Sequence, residues 1–235
     1  MTEMTTTNPA TMTARRRMGG AALIGAPAFL LAGALIHPRE VTDAGDQLKI
    51  VAASLNRWYV AHLLYVAATA LLVPAVLSLG RRLRAEAPRL ELWGTGLAVV
   101  GLFCTAALVA AEGFGGWQLA QVSDRAAATQ AFDHLTHSAG IVVPFGILGL
   151  TLSAGLIVLA VGLHRTATAP AWAAWALGAG SVLLAIGEAA ALQPAFLAGI
   201  VVLFGALAAV GWADLGLSPA PALGARTTSR FATNG

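Results

Sequence analysis

The chain is written in long apolar runs rather than amphipathic stripes. Reading for uninterrupted spans of about 17–25 residues predicts six helices, over about 18–37, 57–79, 92–112, 138–163, 171–192 and 195–213. Acidic residues bound the third, Glu91 before it and Glu112 at its end. A membrane barrel is not expected, because it would show segments of about 10 residues with alternating polarity. The expected fold class is all-α, a six-transmembrane helix bundle within residues 15–215. Residues 1–14 are Thr-rich and 216–235 are rich in Pro, Ala, Thr and Ser, so both read as disordered tails.

Between the spans, the pattern is lopsided. On one side lie two long loops, and on the other only short connections. Within the first long loop, residues 44–55 predict a short interfacial helix. The second, about 113–136, opens with Gly113, Gly115 and Gly116 and continues into another predicted interfacial helix. Pro27 is expected to kink the first span, which membrane helices tolerate. Gln193 and Pro194 mark a tight hairpin between the last two spans. Long structured loops are where function tends to reside, so the more elaborate face is the one to search.

Composition fixes the class and charge fixes the orientation. Of the residues, 57% are hydrophobic and 11% charged, against roughly 25% charged in soluble domains. Ten of the 14 Lys and Arg fall on the side of the short loops: Arg15, Arg16, Arg17, Arg81, Arg82, Arg84, Arg89, Arg165, Arg226 and Arg230. Cytoplasmic loops carry that excess, so both termini are expected in the cytoplasm, with the protein in the plasma membrane. The net charge of +3 thus reads as topology. A nucleic-acid footprint would cluster basic residues on one folded face. The first span resembles a signal peptide in its three preceding arginines, but no clear small-residue cleavage site ends it, so it is read as retained. Cys104 is the only cysteine, which excludes an intrachain disulfide and an all-cysteine metal site.

On the outer side, six ionisable residues converge: His37, His62, His134, His137, Glu112 and Glu188. Such groups are costly in or near a membrane and usually face an interior site. His62 shares a helical stripe with Trp58, Tyr65 and Thr69. His134 and His137 are three apart at the expected entrance to span four, and Glu188 lies about five residues below the last outer turn. Each also has an ordinary reading, as an interfacial group, a helix cap or a structural hydrogen bond.

Three chemistries fit this constellation. A transition-metal site (Fe, Cu or Zn) or haem would take His62 and His137 as ligands, with Glu112 and Glu188 as ligands or supporting bases, and would allow redox or hydrolytic activity. The di-iron Glu-x-x-His pattern is incomplete here. A metal-independent terpene or lipid cyclase would use protonated Glu112 or Glu188 as general acid. Trp58, Tyr65, Phe114 and Trp117 would then line a pocket for a hydrophobic or isoprenoid substrate, although an interfacial aromatic belt explains the same residues. Sensing or subunit assembly without catalysis is the third reading. The expected partner in every case is the lipid bilayer, not nucleic acid.

The stretch Leu35-Ile36-His37-Pro38, then Trp58-Tyr59-Val60-Ala61-His62-Leu63 and Leu71-Leu72-Val73-Pro74, resembles a group of uncharacterised actinobacterial multi-pass membrane proteins. The likeness lies mainly in residues 35–80, implies the six-helix architecture and carries no activity. Integral membrane terpene cyclases are similar in size and helix content and use membrane-embedded acidic residues, an analogy of architecture and chemistry. The favoured expectation is a metal or haem site on the outer face.

Overall fold

The computed structural model describes residues 9–190 and 192–216. It is 87% helix, with no strands among the described residues. The elements in order are α1 (Pro9–Ile36), α2 (Ala44–Ala53), α3 (Leu55–Leu83), α4 (Pro88–Leu119), α5 (Arg125–His137), a turn of helix α6 (Ala139–Ile141), a π-helical segment (Val142–Ile147), α7 (Leu148–Arg165), α8 (Ala171–Ala189) and α9 (Gln193–Leu215). Six stretches are long and apolar enough to cross a membrane: Thr11–Ile36, Leu55–Leu83, Pro88–Leu119, Val143–Arg165, Ala171–Glu188 and Gln193–Leu215. The protein is a multi-pass helical bundle.

The spans form a closed ring. α1 packs between α3 and α9, α9 on α8, α8 on α7, α7 on α4, and α4 returns to α3. Leucines and alanines fill the centre, with Leu23, Leu79, Leu83, Leu102, Leu159, Leu163 and Leu177 almost wholly buried. Large apolar side chains such as Phe103, Leu150, Trp172, Trp175 and Val201 point outward, an apolar exterior that a lipid solvent permits. α4 and α7 cross at backbone contact, because a Cβ on Gly101 would lie 2.1 Å from the Leu152 amide nitrogen. Small residues allow that approach between membrane helices.

Boundaries differ from the sequence reading in ways the packing explains. α4 continues past Glu112 through Gly113, Gly115 and Gly116 to Leu119. These glycines were expected to open a loop; instead Gly113 and Gly116 are buried helical positions under α3 and α5. The expected span four begins later. His134 and His137 belong to the last turn of α5, and the chain passes through the π segment, which contains Pro144, before α7. Pro144 lacks an amide hydrogen to give to the ladder, consistent with a locally rewound turn there. At the start, residues 9–14 continue α1 rather than belonging to a tail, with Pro9 at its first position. The rest of the two expected tails, 1–8 and 217–235, lies outside the described residues. The two interfacial helices are present as α2 and α5, each capped by an aspartate: Asp43 accepts from the Asp46 amide at 2.8 Å and Asp124 from the Ala127 amide at 3.1 Å.

Candidate functional site

At the face bearing α2 and α5, side chains assemble into two adjoining groups. The first is an aromatic stack beneath the α1 C-terminus. His37 sits with its ring centroid 4.9 Å from Trp58, 5.1 Å from His62 and 5.7 Å from Tyr65, and Trp58 and His62 are 4.4 Å apart. The stripe at 58, 62 and 65 is the helical spacing read from sequence; His37 reaches it because α1 ends there. Arg57 fastens that end, donating Nε–H to the Ile36 carbonyl and Nη2–H to the His37 carbonyl at 3.2 Å. Cationic donors at a helix C-terminus satisfy its last carbonyls.

Gly113 fits α4 against this stack. Trp58 Nε1–H donates to the Gly113 carbonyl at 2.8 Å, and a Cβ on Gly113 would lie 2.2 Å from His62 Cδ2. His62 Nδ1–H donates to the Trp58 carbonyl at 2.9 Å, so Nε2 is left with no hydrogen bond to the described residues. His37 is 93% buried. Its burial, then the nearby His62, pushes its pKa down from 6.5 to about 4, with Arg57 adding to the shift and a backbone hydrogen bond at Pro38 opposing it. Glu40 Oε1 lies 3.4 Å from His37 Nδ1. That carboxyl is mostly exposed, so water screens its field and desolvation prevails.

The second group is a cavity of about 120 Å³ roofed by α2 and α5. Its polar lining comprises Glu40, Thr42, Gln47, Glu112, Thr136 and His137, and the Phe132 ring closes one wall. Glu112 and Glu40 line the same space. Desolvation pushes the Glu40 carboxyl above the usual carboxylate range, tempered by its open side chain. Gln47 occupies the buried face of α2 with Ala44, Leu48 and Val51. Its Oε1 accepts from the Val41 amide at 2.8 Å, while its Nε2 is buried with no acceptor. Unsatisfied buried donors are uncommon and invite an explanation by water or ligand. His137 is tied to its own helix, with Nδ1 3.1 Å from Asp133 Oδ1 and 3.0 Å from Thr136 Oγ1.

The sequence-derived candidates thus divide. Glu112 and His137 share the cavity, while His62, Trp58 and Tyr65 belong to the stack beside it. Phe114 and Trp117 instead pack on Tyr59, at centroid distances of 5.7 and 5.4 Å, on a different face of α3. Glu188 is within electrostatic reach of Glu40 and Glu112, but its side chain is exposed and lies outside the cavity lining. His134 is exposed on α5. Glu40, Thr42, Gln47 and Thr136 were missed. Only Gln47 left a signal: a polar residue at a core position of an otherwise apolar helix face.

The cavity does not suit a haem, being far below the 300–1,000 Å³ of ordinary cofactor pockets, and the expected axial pair His62 and His137 does not line one space. No group of three or more His, Cys, Asp or Glu is placed to hold a metal ion among the described residues. Comparison with known protein families, curated proteins and solved structures gives no match.

Proposed function

We propose that this is a multi-pass plasma-membrane protein, with both termini in the cytoplasm, whose outer face binds a small amine-bearing solute as a sensor or assembly subunit. The observation that carries the reading is the cavity lining. Two carboxyls, Glu40 and Glu112, flank a space that Gln47 also lines, with its amide nitrogen buried and unpartnered. An ammonium between the carboxyls would pair with both, and the face of Phe132 would add a cation–π contact. A carbonyl, carboxylate or hydroxyl on the same molecule would accept from Gln47 Nε2. A volume of about 120 Å³ suits one small organic ion or a few waters.

This favours binding over the other chemistries. A cyclase pocket for an isoprenoid would need more volume and would gather Phe114 and Trp117 with Trp58 and Tyr65, which here face different neighbours. A metal site would need Glu40, Glu112 and His137, which line the cavity without being placed to hold an ion, to be drawn together, and the test separates it. Thermal unfolding of the purified protein is followed with ethanolamine, glycine, Zn²⁺ or Cu²⁺. Ethanolamine or glycine should raise the melting temperature, by the equivalent of about 2.7 kcal/mol at a hundred times the dissociation constant, and Glu112→Gln should remove the rise. A rise with Zn²⁺ or Cu²⁺ alone, lost in His137→Ala, would replace the proposal with a metal site. No rise with any of them would make the cavity a water-filled structural feature.

A further inference from the structure

At the opposite end of the bundle, we infer a binding pocket for the phosphate of an anionic membrane lipid. α1, α3 and α9 border an open space of about 380 Å³ whose polar lining is Arg15, Arg16, Arg81, Arg82, Ser78 and Asp214. Four guanidiniums and one carboxylate line it, and two of the four bond to that carboxylate. Asp214, buried, accepts from Arg82 Nη2–H at 2.7 Å, from Arg16 Nε–H at 3.2 Å and from the Ser78 hydroxyl at 3.4 Å.

Asp214 holds its two arginines without exhausting them. Arg82 also donates Nη1–H to the Thr168 carbonyl at 2.9 Å and Nη2–H to the Val210 carbonyl at 3.3 Å, which fixes its plane. Its Nε is buried with no acceptor. Arg16 gives Nη2–H to the Ala213 carbonyl at 3.0 Å. Arg15 and Arg81 have no hydrogen bond or ion pair to the described residues. Two anchored and two unengaged guanidiniums around one space form the planar, multidentate donor set that phosphate oxygens match.

Location selects the source of that phosphate. The pocket lies at the ends of three apolar spans, on the side of the bundle where Arg17, Arg84, Arg89 and Arg165 also flank span ends. That is the level of lipid headgroups, where basic pockets between helices bind anionic lipids. The helices can converge there because α1 and α9 touch through backbone: a Cβ on Gly211 would lie 2.7 Å from the Gly20 carbonyl oxygen.

The experiment uses the full chain in nanodiscs of phosphatidylcholine with a minor share of phosphatidylglycerol or cardiolipin. Lipid retained after gentle release is counted by native mass spectrometry. Wild type should retain the anionic lipid. The Arg15→Gln/Arg81→Gln double variant, which removes the unengaged guanidiniums, should lose most of it. Arg17→Gln/Arg89→Gln, of equal net charge and outside the pocket, should retain it. Equal retention by all three, or equal loss in both doubles, overturns the pocket in favour of none or of diffuse charge attraction. If instead inorganic phosphate raises the melting temperature of wild type but not of the pocket double variant, and no lipid is retained, the lipid assignment is overturned in favour of a soluble phosphate ligand.

Discussion

Replacing Gly113 by alanine should destabilise the protein, against the usual trend for a helical glycine. The new Cβ would stand 2.2, 2.3 and 2.6 Å from His62 Cδ2, Cγ and Cβ, where carbon atoms pack at about 3.5–4.0 Å. His62 has little room to yield, being 3% exposed and stacked on Trp58 and His37, so α3 and α4 must part. Overpacking of this kind costs about 1–3 kcal/mol. Separation also weakens the bond from Trp58 to the Gly113 carbonyl, worth about 1 kcal/mol. Alanine returns up to about 1 kcal/mol through helix propensity. The net loss is about 1–3 kcal/mol, or a fall of roughly 2–12 °C in melting temperature at about 2–4 °C per kcal/mol. Gly96 is the control, because a Cβ there meets nothing within 4 Å, and Gly96→Ala should leave the melting point level or raise it. The assay is thermal unfolding of both variants in one detergent, followed by tryptophan fluorescence. If Gly113→Ala matches Gly96→Ala, the close packing of α4 on the histidine stack is wrong.

Acid should weaken the same stack. His37 faces His62 and Arg57 from α3, Glu40 from its own loop, and the rings of Trp58 and Tyr65. With its pKa lowered from 6.5 to about 4, the unfolded chain takes up a proton that the folded chain refuses. Stability is therefore full above pH 6.5 and lost as pH falls toward 4, by about 3 kcal/mol in total. The raised Glu40 carboxyl tilts the opposite way, losing stability as pH rises. Melting curves from pH 7 to 4 should flatten in His37→Gln; an unchanged slope would show that other groups set it. At the basic end, Asp214→Ala should cost about 3 kcal/mol, the low end for a broken buried pair, because Arg82 is left without its carboxylate while 20% exposed. Asp214→Asn, which keeps an oxygen for Ser78 and Arg82, should cost less, and equal melting points for the two would remove the ion pair from the explanation.

The bundle was legible in the sequence because lipid imposes a simple rule: spans must be long, apolar and helical. The stripe of Trp58, His62 and Tyr65 was legible for a similar reason, since spacing within one helix fixes a face. What periodicity cannot see is which ends meet. His37 joins the stack only because α1 stops where α3 starts, and Glu40 and Gln47 enter the cavity only because α2 folds over Glu112. Gly113 misled as loop punctuation, its role being to let His62 approach. Glu188 comes within electrostatic reach of Glu112 but stays outside the cavity lining with its side chain open, which depth along a span does not reveal. The Asp214 cluster joins residues separated by 136 and 198 positions, and nothing local announces it.

The most direct test of an outer, solute-binding cavity is cysteine labelling at its mouth. Thr42, exposed and part of the lining, is changed to cysteine with Cys104→Ser to remove the native thiol. Intact cells are then treated with a membrane-impermeant maleimide, with and without ethanolamine. Ala131, exposed on α5 outside the cavity lining, serves as the reference position. Thr42→Cys should label from outside and be slowed by ethanolamine, while Ala131→Cys labels at an unchanged rate. Labelling of Thr42→Cys only after permeabilisation would reverse the orientation, and labelling indifferent to ethanolamine would contradict binding of that amine in the cavity.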